Sequence, residues 1–159
     1  MKHLILVGFM GSGKSSLASN LSRELLLPVF STDLAISEQL QMSISDIFSH
    51  FGEEFFRAQE SRIFAAIKQL EAVHIIDCGG GFGYYQEVNA LGKVIFLDLE
   101  FEEILQRMNE NERSKRPLFG NEAKAKELFL QRREVYLAKA DIRLKSLKDL
   151  KEQINALLP

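Results

Sequence analysis

The chain has 159 residues, 46% hydrophobic and 26% charged, enough for one globular domain and too few for two ordinary ones, so a single domain over 1–159 is expected. A domain of this size buries about 70% of the surface its unfolded chain exposes and needs no disulfide or metal to hold a core. The lone cysteine, Cys78, excludes a disulfide framework and a four-ligand zinc site, while 20 basic against 22 acidic residues, a formal charge of -2, argue against a general nucleic-acid or membrane-surface binder.

The first apolar run, 4–7, is short and stops at Gly8, with no longer hydrophobic region and no small-residue cleavage site. No stretch approaches the roughly 18 consecutive apolar residues of a membrane span. A cytoplasmic protein is expected, and the run reads as a buried strand. It leads into Gly8-Phe9-Met10-Gly11-Ser12-Gly13-Lys14-Ser15, which matches G-x-x-x-x-G-K-[ST]. Glycines at this spacing let the backbone turn so that several N–H groups face one concavity, where they and the following helix N-terminus hold phosphate oxygens. Lys14 would reach the β- and γ-phosphates and the Ser15 hydroxyl would ligate Mg²⁺, so binding of a nucleoside triphosphate is expected. Leu17, Leu21 and Leu25 form the apolar stripe of a helix over 14–26.

Further along, a weak strand is predicted at 29–30 after Pro28, with helices at 33–40 and 53–70 and a strand at 73–76. Three glycines, Gly79 to Gly81, follow, with a short helix after Tyr84. The remaining elements are a strand at 94–97, a helix at 101–110, a helix at 122–139, a weak strand at 142–144 and a helix at 147–157. Alternating strands and helices read as a parallel sheet buried on both faces. The segment 109–121, NENERSKRPLFGN, breaks the periodicity and reads as a mobile surface loop, either a solvated connector or an active-site lid.

A short P-loop chain with one basic loop suits a small-molecule kinase, which needs an acceptor pocket, a group that positions the attacking hydroxyl, and cations for the charge spread over the transferred phosphoryl. Arg57 and Glu60 lie three apart on one helix face, so the carboxylate can fix the guanidinium. Arg132 lies on a separate helix. Two convergent arginines suit a carboxylate, and Gly79, Gly80 and Gly81 offer N–H groups without side chains in the way. Asp33 falls at the end of the second strand, at the edge of the sheet where ligands of open α/β folds bind, and an Asp there also suits a helix N-cap. Cys78 reads as a small buried side chain, and His3, His50 and His74 share no metal-ligand spacing.

Taken in order, GFMGSGKSS at 8–16, Ser31-Thr32-Asp33, SISDIF at 43–48, GEEFFRAQE at 52–60, the triple glycine, KRPLF at 115–119 and Arg132-x-x-x-Tyr136 resemble the shikimate kinase family over nearly the whole chain. The resemblance implies a three-layer P-loop kinase fold: a five-stranded parallel sheet of order 2-3-1-4-5, helices on both faces and a mobile lid. The implied reaction passes the γ-phosphate of ATP to the 3-hydroxyl of shikimate with Mg²⁺. It further implies that Gly11, Ser12, Gly13, Lys14, Ser15 and Ser16 hold the phosphates and that Arg107 stacks on adenine. Arg116 would meet the γ-phosphate when the lid closes. Arg57 and Arg132, with the three glycines, would hold the substrate carboxylate, Asp33 would orient the attacking hydroxyl, and Ile44, Phe48 and Phe56 would wall the ring. ATP and shikimate are then the partners of an expected monomer, with no nucleic acid or membrane.

The chain departs from the family pattern at two acidic positions. The family usually has an aspartate, which holds Mg²⁺ through water, where Ser31 stands, and small or hydroxylated residues where Asp77-Cys78 stand. Asp77, at the end of the third strand, is therefore expected either to take over the Mg²⁺ role or only to bond a backbone N–H or Lys14. The C-terminal stretch around Lys145–Lys148, which loops beneath adenine in the family, is short and lysine-rich here. Another small P-loop kinase, such as one acting on gluconate, and a nucleotide-binding module without turnover stay open as alternatives.

Overall fold

A computed structural model describes residues 2–108, 117–146, 148–150 and 152–153. Five strands, β1 (His3–Val7), β2 (Val29–Ser31), β3 (Ile75–Asp77), β4 (Gly92–Leu97) and β5 (Ile142–Leu144), form one parallel sheet of order β2-β3-β1-β4-β5. The helices are α1 (Lys14–Leu25), α2 (Thr32–Leu40), α3 (Ile44–Lys68), α4 (Gly80–Tyr85), α5 (Phe101–Arg107) and α6 (Glu122–Lys139). The expected sheet order and two-sided helical cover are both present.

The central strand explains the two layers. All five residues of β1 are buried, and because successive side chains of a strand point to opposite faces, Leu4 and Leu6 enter one core and Ile5 and Val7 the other. The first core receives Leu17 and Leu21 of α1 and Ile104 of α5; the second receives Ile63 and Ile67 of α3 and Phe82 of α4. Helix α6 reaches both, with Phe129 in the first and Tyr136 in the second. Strands β3 and β4 flank β1 on opposite sides, so the connections diverge above its carboxyl end and leave a crevice there. No helix among the described residues is long and apolar enough to cross a membrane.

Several elements differ from expectation: β4 begins at Gly92 rather than 94, and α5 ends at Arg107 rather than 110, Met108 being already extended. The third strand begins at Ile75 rather than 73, since His74 already lies at the foot of the sheet, where its carbonyl accepts from the Leu4 N–H at 3.0 Å. Helix α3 begins at Ile44 rather than 53: the Ser43 hydroxyl caps it by accepting from the Asp46 N–H at 3.1 Å, and Gly52, at φ 84°, kinks it before it continues. The short helix expected after Tyr84 instead ends at Tyr85, having started on the glycines. Helix propensity disfavours that start by about 1 kcal/mol per glycine, and tertiary contacts override it. The Lys139 ammonium donates to the carbonyls of Gly83, Tyr84 and Gln86 at 3.2, 2.9 and 2.9 Å, closing the C-terminal end of α4. The predicted helix at 147–157 lies mostly outside the described residues, as do 109–116 of the predicted lid.

Candidate active site

The crevice begins with the turn that leaves β1. Gly11 and Gly13 sit at φ 81° and 93°, in the left-handed region that a side chain strains, and a Cβ at Gly11 would also collide with Met108. Gly13 caps α1 without a side-chain hydrogen bond, so no capping side chain stands between the N-terminus of this 12-residue helix and an anion. The Ser12 hydroxyl is buried without a protein partner. Lys14 is buried, and its ammonium donates to the carbonyls of Gly8 and Phe9 at 2.7 and 3.1 Å. At the rim, Arg107 Nη1 donates to the Ser12 carbonyl at 3.4 Å. A cleft of about 330 Å³ opens here, lined by Lys14, Ser15, Ser31, Asp33, Asp77 and Gly79 among others.

On the cleft floor the Ser15 hydroxyl donates to Asp77 Oδ2 at 2.9 Å. Asp77 is buried, and in the sheet it stands opposite Leu6 of β1 and Ser31 of β2. A hydroxyl beside a carboxylate is a set of hard oxygen donors, which suits Mg²⁺ rather than a softer transition metal. No cluster of three His, Cys, Asp or Glu that could hold a metal occurs among the described residues. Mg²⁺ keeps several waters and takes phosphate oxygens as ligands, so it needs few protein donors.

The far side of the cleft is built from side chains. Arg57 Nη1 donates to Glu60 Oε1 at 2.6 Å, and a longer contact of 3.3 Å joins Nη2 to the exposed Glu53. The guanidinium also lies over the ring of Tyr85, with Cζ 4.4 Å from the centroid, and near Phe56 and Phe48, whose own rings stack 4.6 Å apart. Glu60 is fully buried and its Oε2 has no partner among the described residues. Burial pushes the Glu60 carboxyl above its ordinary value, and the pull of Arg57 in the other direction does not offset it. Arg132 is buried as well, and its Nε lacks a partner among the described residues.

The glycines explain how these groups meet. A Cβ at Gly81 would overlap the Arg57 guanidinium, one at Gly80 would stand 3.0 Å from Arg132 Nη1, and one at Gly79 would overlap the Asp33 carboxylate. Each of the three thus lets one charged side chain approach the backbone. The Gly79 N–H donates to Thr32 Oγ1 at 2.8 Å, and the Tyr136 hydroxyl donates to the Gly80 carbonyl at 2.5 Å, so α2 and α6 are both pinned to the start of α4.

Of the residues singled out in the sequence, Gly11, Gly13 to Ser16, Asp33, Asp77, Gly79 and Gly80 border one cleft, Ser12 is buried behind it, and Arg57 and Arg132 lie against its glycine wall. The N-cap of α2 is Ser31, whose Oγ accepts from the Leu34 N–H at 3.3 Å, and Asp33 stands inside the helix instead. Phe56 is buried, Phe48 and Ile44 partly so. Cys78 is buried, and burial raises its thiol well above the ordinary range. His3 and His74 stack edge to face at 5.9 Å by the foot of β1, away from the cleft. Arg116, Arg113 and Lys115 lie outside the described residues. Sequence reasoning missed Tyr84 and Tyr85, whose rings face Arg132 and Arg57. Their adjacency just after the glycines was the available signal.

A parallel sheet of this order, a phosphate loop after its central strand, a hydroxyl–carboxylate pair and two arginines across the same cleft together define a P-loop kinase of small molecules. The family model described as shikimate kinase matches residues 10–158. A shikimate kinase from Helicobacter hepaticus is 37% identical over 140 residues, covering 86% of this chain and 81% of the relative. One from Aquifex aeolicus is 35% identical over 160 residues, covering 98% and 93%. Among solved structures, a shikimate kinase from Acinetobacter baumannii in complex with shikimate superposes with a TM-score of 0.83 at 27% identity, covering 99% of this chain and 92% of that one. The chain belongs to the shikimate kinase family. It is an ATP- and Mg²⁺-dependent phosphotransferase whose reaction is that of the family, transfer of the γ-phosphate of ATP to the 3-hydroxyl of shikimate.

Proposed function

We propose that the cleft carries out this reaction with its two halves in separate roles. The turn from Gly11 to Ser16 takes the phosphates of ATP, and Lys14 transfers its ammonium from the Gly8 and Phe9 carbonyls to the β- and γ-phosphates. When bound, Mg²⁺ neutralises charge on the phosphate oxygens, and the Ser15 hydroxyl is the group on this loop that holds it. Arg107, already at the loop rim, covers the nucleotide base. Arg116, from the basic segment, offsets the charge that develops on the transferred phosphoryl.

Arg57 and Arg132 receive the shikimate carboxylate, and the buried Arg132 Nε that lacks a partner among the described residues is the observation that carries this assignment. A buried, fixed charge with an unused donor is costly unless a ligand completes it. Glu60 keeps Arg57 aimed along α3, and Ile44, Phe48 and Phe56 cover the apolar side of the ring. Asp33, over Gly79, orients the attacking hydroxyl and accepts its proton. On this reading the enzyme acts as a monomer in the cytoplasm. A coupled ADP-release assay over shikimate, gluconate and nucleoside monophosphates tests the reading. Turnover dependent on shikimate alone is expected, and turnover dependent on either of the others would overturn it.

A further inference from the structure

A serine hydroxyl that ligates a divalent cation must turn a lone pair to the metal and send its proton elsewhere. In this chain the proton goes to Asp77: the Ser15 hydroxyl donates to Oδ2 at 2.9 Å, and the carboxylate is held at 8% exposure at the end of β3. Strand β3 is the neighbour of β1, so Asp77 stands beside the phosphate loop. The strand on its other side supplies no second carboxylate. Ser31, in register with Asp77, spends its oxygen on the Leu34 N–H as the cap of α2. Asp33, two residues beyond Ser31, lies over Gly79, by the acceptor wall. A negative side chain at the foot of a phosphate site opposes phosphate binding by itself, and only a cation between the two turns it into an attraction.

We propose that Asp77 is the residue that fixes the divalent cation of the bound nucleotide, by orienting the Ser15 hydroxyl and supplying the cleft floor with a negative charge. Asp33 is thereby left to the acceptor. The inference rests on the reading of 8–15 as the triphosphate site and is independent of which acceptor is used. The competing role is purely structural, with Asp77 anchoring the first turn of α1 through Ser15. The two roles differ in one readout. A structural anchor helps nucleotide binding with or without metal, whereas a cation-holding carboxylate helps only with it and hinders slightly without it.

The experiment is a calorimetric titration of ADP into the full chain, without acceptor, across a range of Mg²⁺ concentrations and in its absence. Asp77→Asn keeps the shape and can still accept from Ser15, so it isolates the charge; Asp77→Ser, smaller and equally uncharged, is the second variant should the first fail to fold. In either, the Mg²⁺ concentration for half-maximal tightening of ADP should rise about tenfold or more, the range expected for a group that orients a metal ligand. Metal-free ADP affinity should hold or improve. Adding Ser31→Asp to Asp77→Asn should recover part of the Mg²⁺ dependence, because Asp also caps a helix and returns a carboxylate one strand away. An unchanged Mg²⁺ requirement, or an equal loss of ADP affinity with and without Mg²⁺, would overturn the proposal. Neither outcome touches the acceptor assignment, which the ADP-release assay reads separately.

Discussion

On the nucleotide side of the cleft the anion-binding groups belong to a backbone turn of eight consecutive residues, fixed by two glycines at φ 81° and 93°. On the acceptor side they belong to side chains from α2, α3 and α6 that meet on three glycines of β3–α4. The first half is local, so its geometry survives wherever the turn forms. The second exists only when distant elements pack. Buried ionic groups left with orphan atoms, Glu60 Oε2 and Arg132 Nε, gather in the packed half, where each loses solvation that only a partner or a ligand returns.

The contrast can be broken from either side, and the largest effect is expected at Lys14. Lys14→Ala removes the one long cation of the turn and should lower kcat about 10²- to 10³-fold, the range for loss of a single donor to developing charge, while also weakening ATP. Shikimate affinity should be unchanged, as shown by fluorescence or calorimetric binding. Next comes Arg132→Ala, which leaves the substrate carboxylate short of a charged partner in a buried site. A loss of about 2–4 kcal/mol, about 30- to 1000-fold in kcat/KM for shikimate, is expected, with ATP binding intact. Wild-type kinetics for shikimate in both Arg132→Ala and Arg57→Ala would remove the carboxylate role.

A smaller effect should follow Gly81→Ala, whose new Cβ displaces the Arg57 guanidinium from its place between Glu60 and Tyr85. The guanidinium is the flexible end of its chain, so a rise of about tenfold in the KM for shikimate, or about 1.4 kcal/mol, is expected in steady-state kinetics, with unfolding temperature changed little. The smallest effect concerns Glu60. Its carboxyl is raised in the folded chain above the ordinary 4.5, burial being the main cause. A group raised on folding contributes stability that is complete below its unfolded pKa and lost as pH rises through the folded value. Glu60→Gln, which cannot ionise, should therefore gain in unfolding temperature relative to wild type as pH rises from 4.5 through the folded value, although it loosens Arg57 and raises the KM for shikimate. A difference between variant and wild type that moves in favour of wild type as pH rises from 4.5 to 8 would contradict that sign.

The same contrast decides what could be read from the sequence. The phosphate loop is a contiguous pattern whose chemistry follows from spacing; β1 and β4 were legible as short, wholly apolar runs, 4–7 and 94–97, separated by charged stretches, and α1 and α6 as long helical stretches. Asp33, Arg57 and Arg132 were reachable through ordered motifs, whereas their meeting on consecutive glycines required the sheet to bring β3 beside β1. The start of α4 at Gly80 was illegible for a physical reason: glycine opposes helix locally, and the helix is held by Lys139 and Tyr136, more than 50 residues away. The helical stretch before Gly52 was hidden by the kink glycine, although Ser43 and Asp46 offered a capping signal. Tyr85 could not be assigned to Arg57 without knowing where α4 ends.

The division of the cleft into two independent halves is tested most directly by measuring ADP and shikimate affinities calorimetrically on the same preparations of wild type, Lys14→Ala and Arg132→Ala. The expected result is a crossed pattern, with ADP weakened only in Lys14→Ala and shikimate weakened only in Arg132→Ala. Loss of both affinities together in either variant would contradict the account.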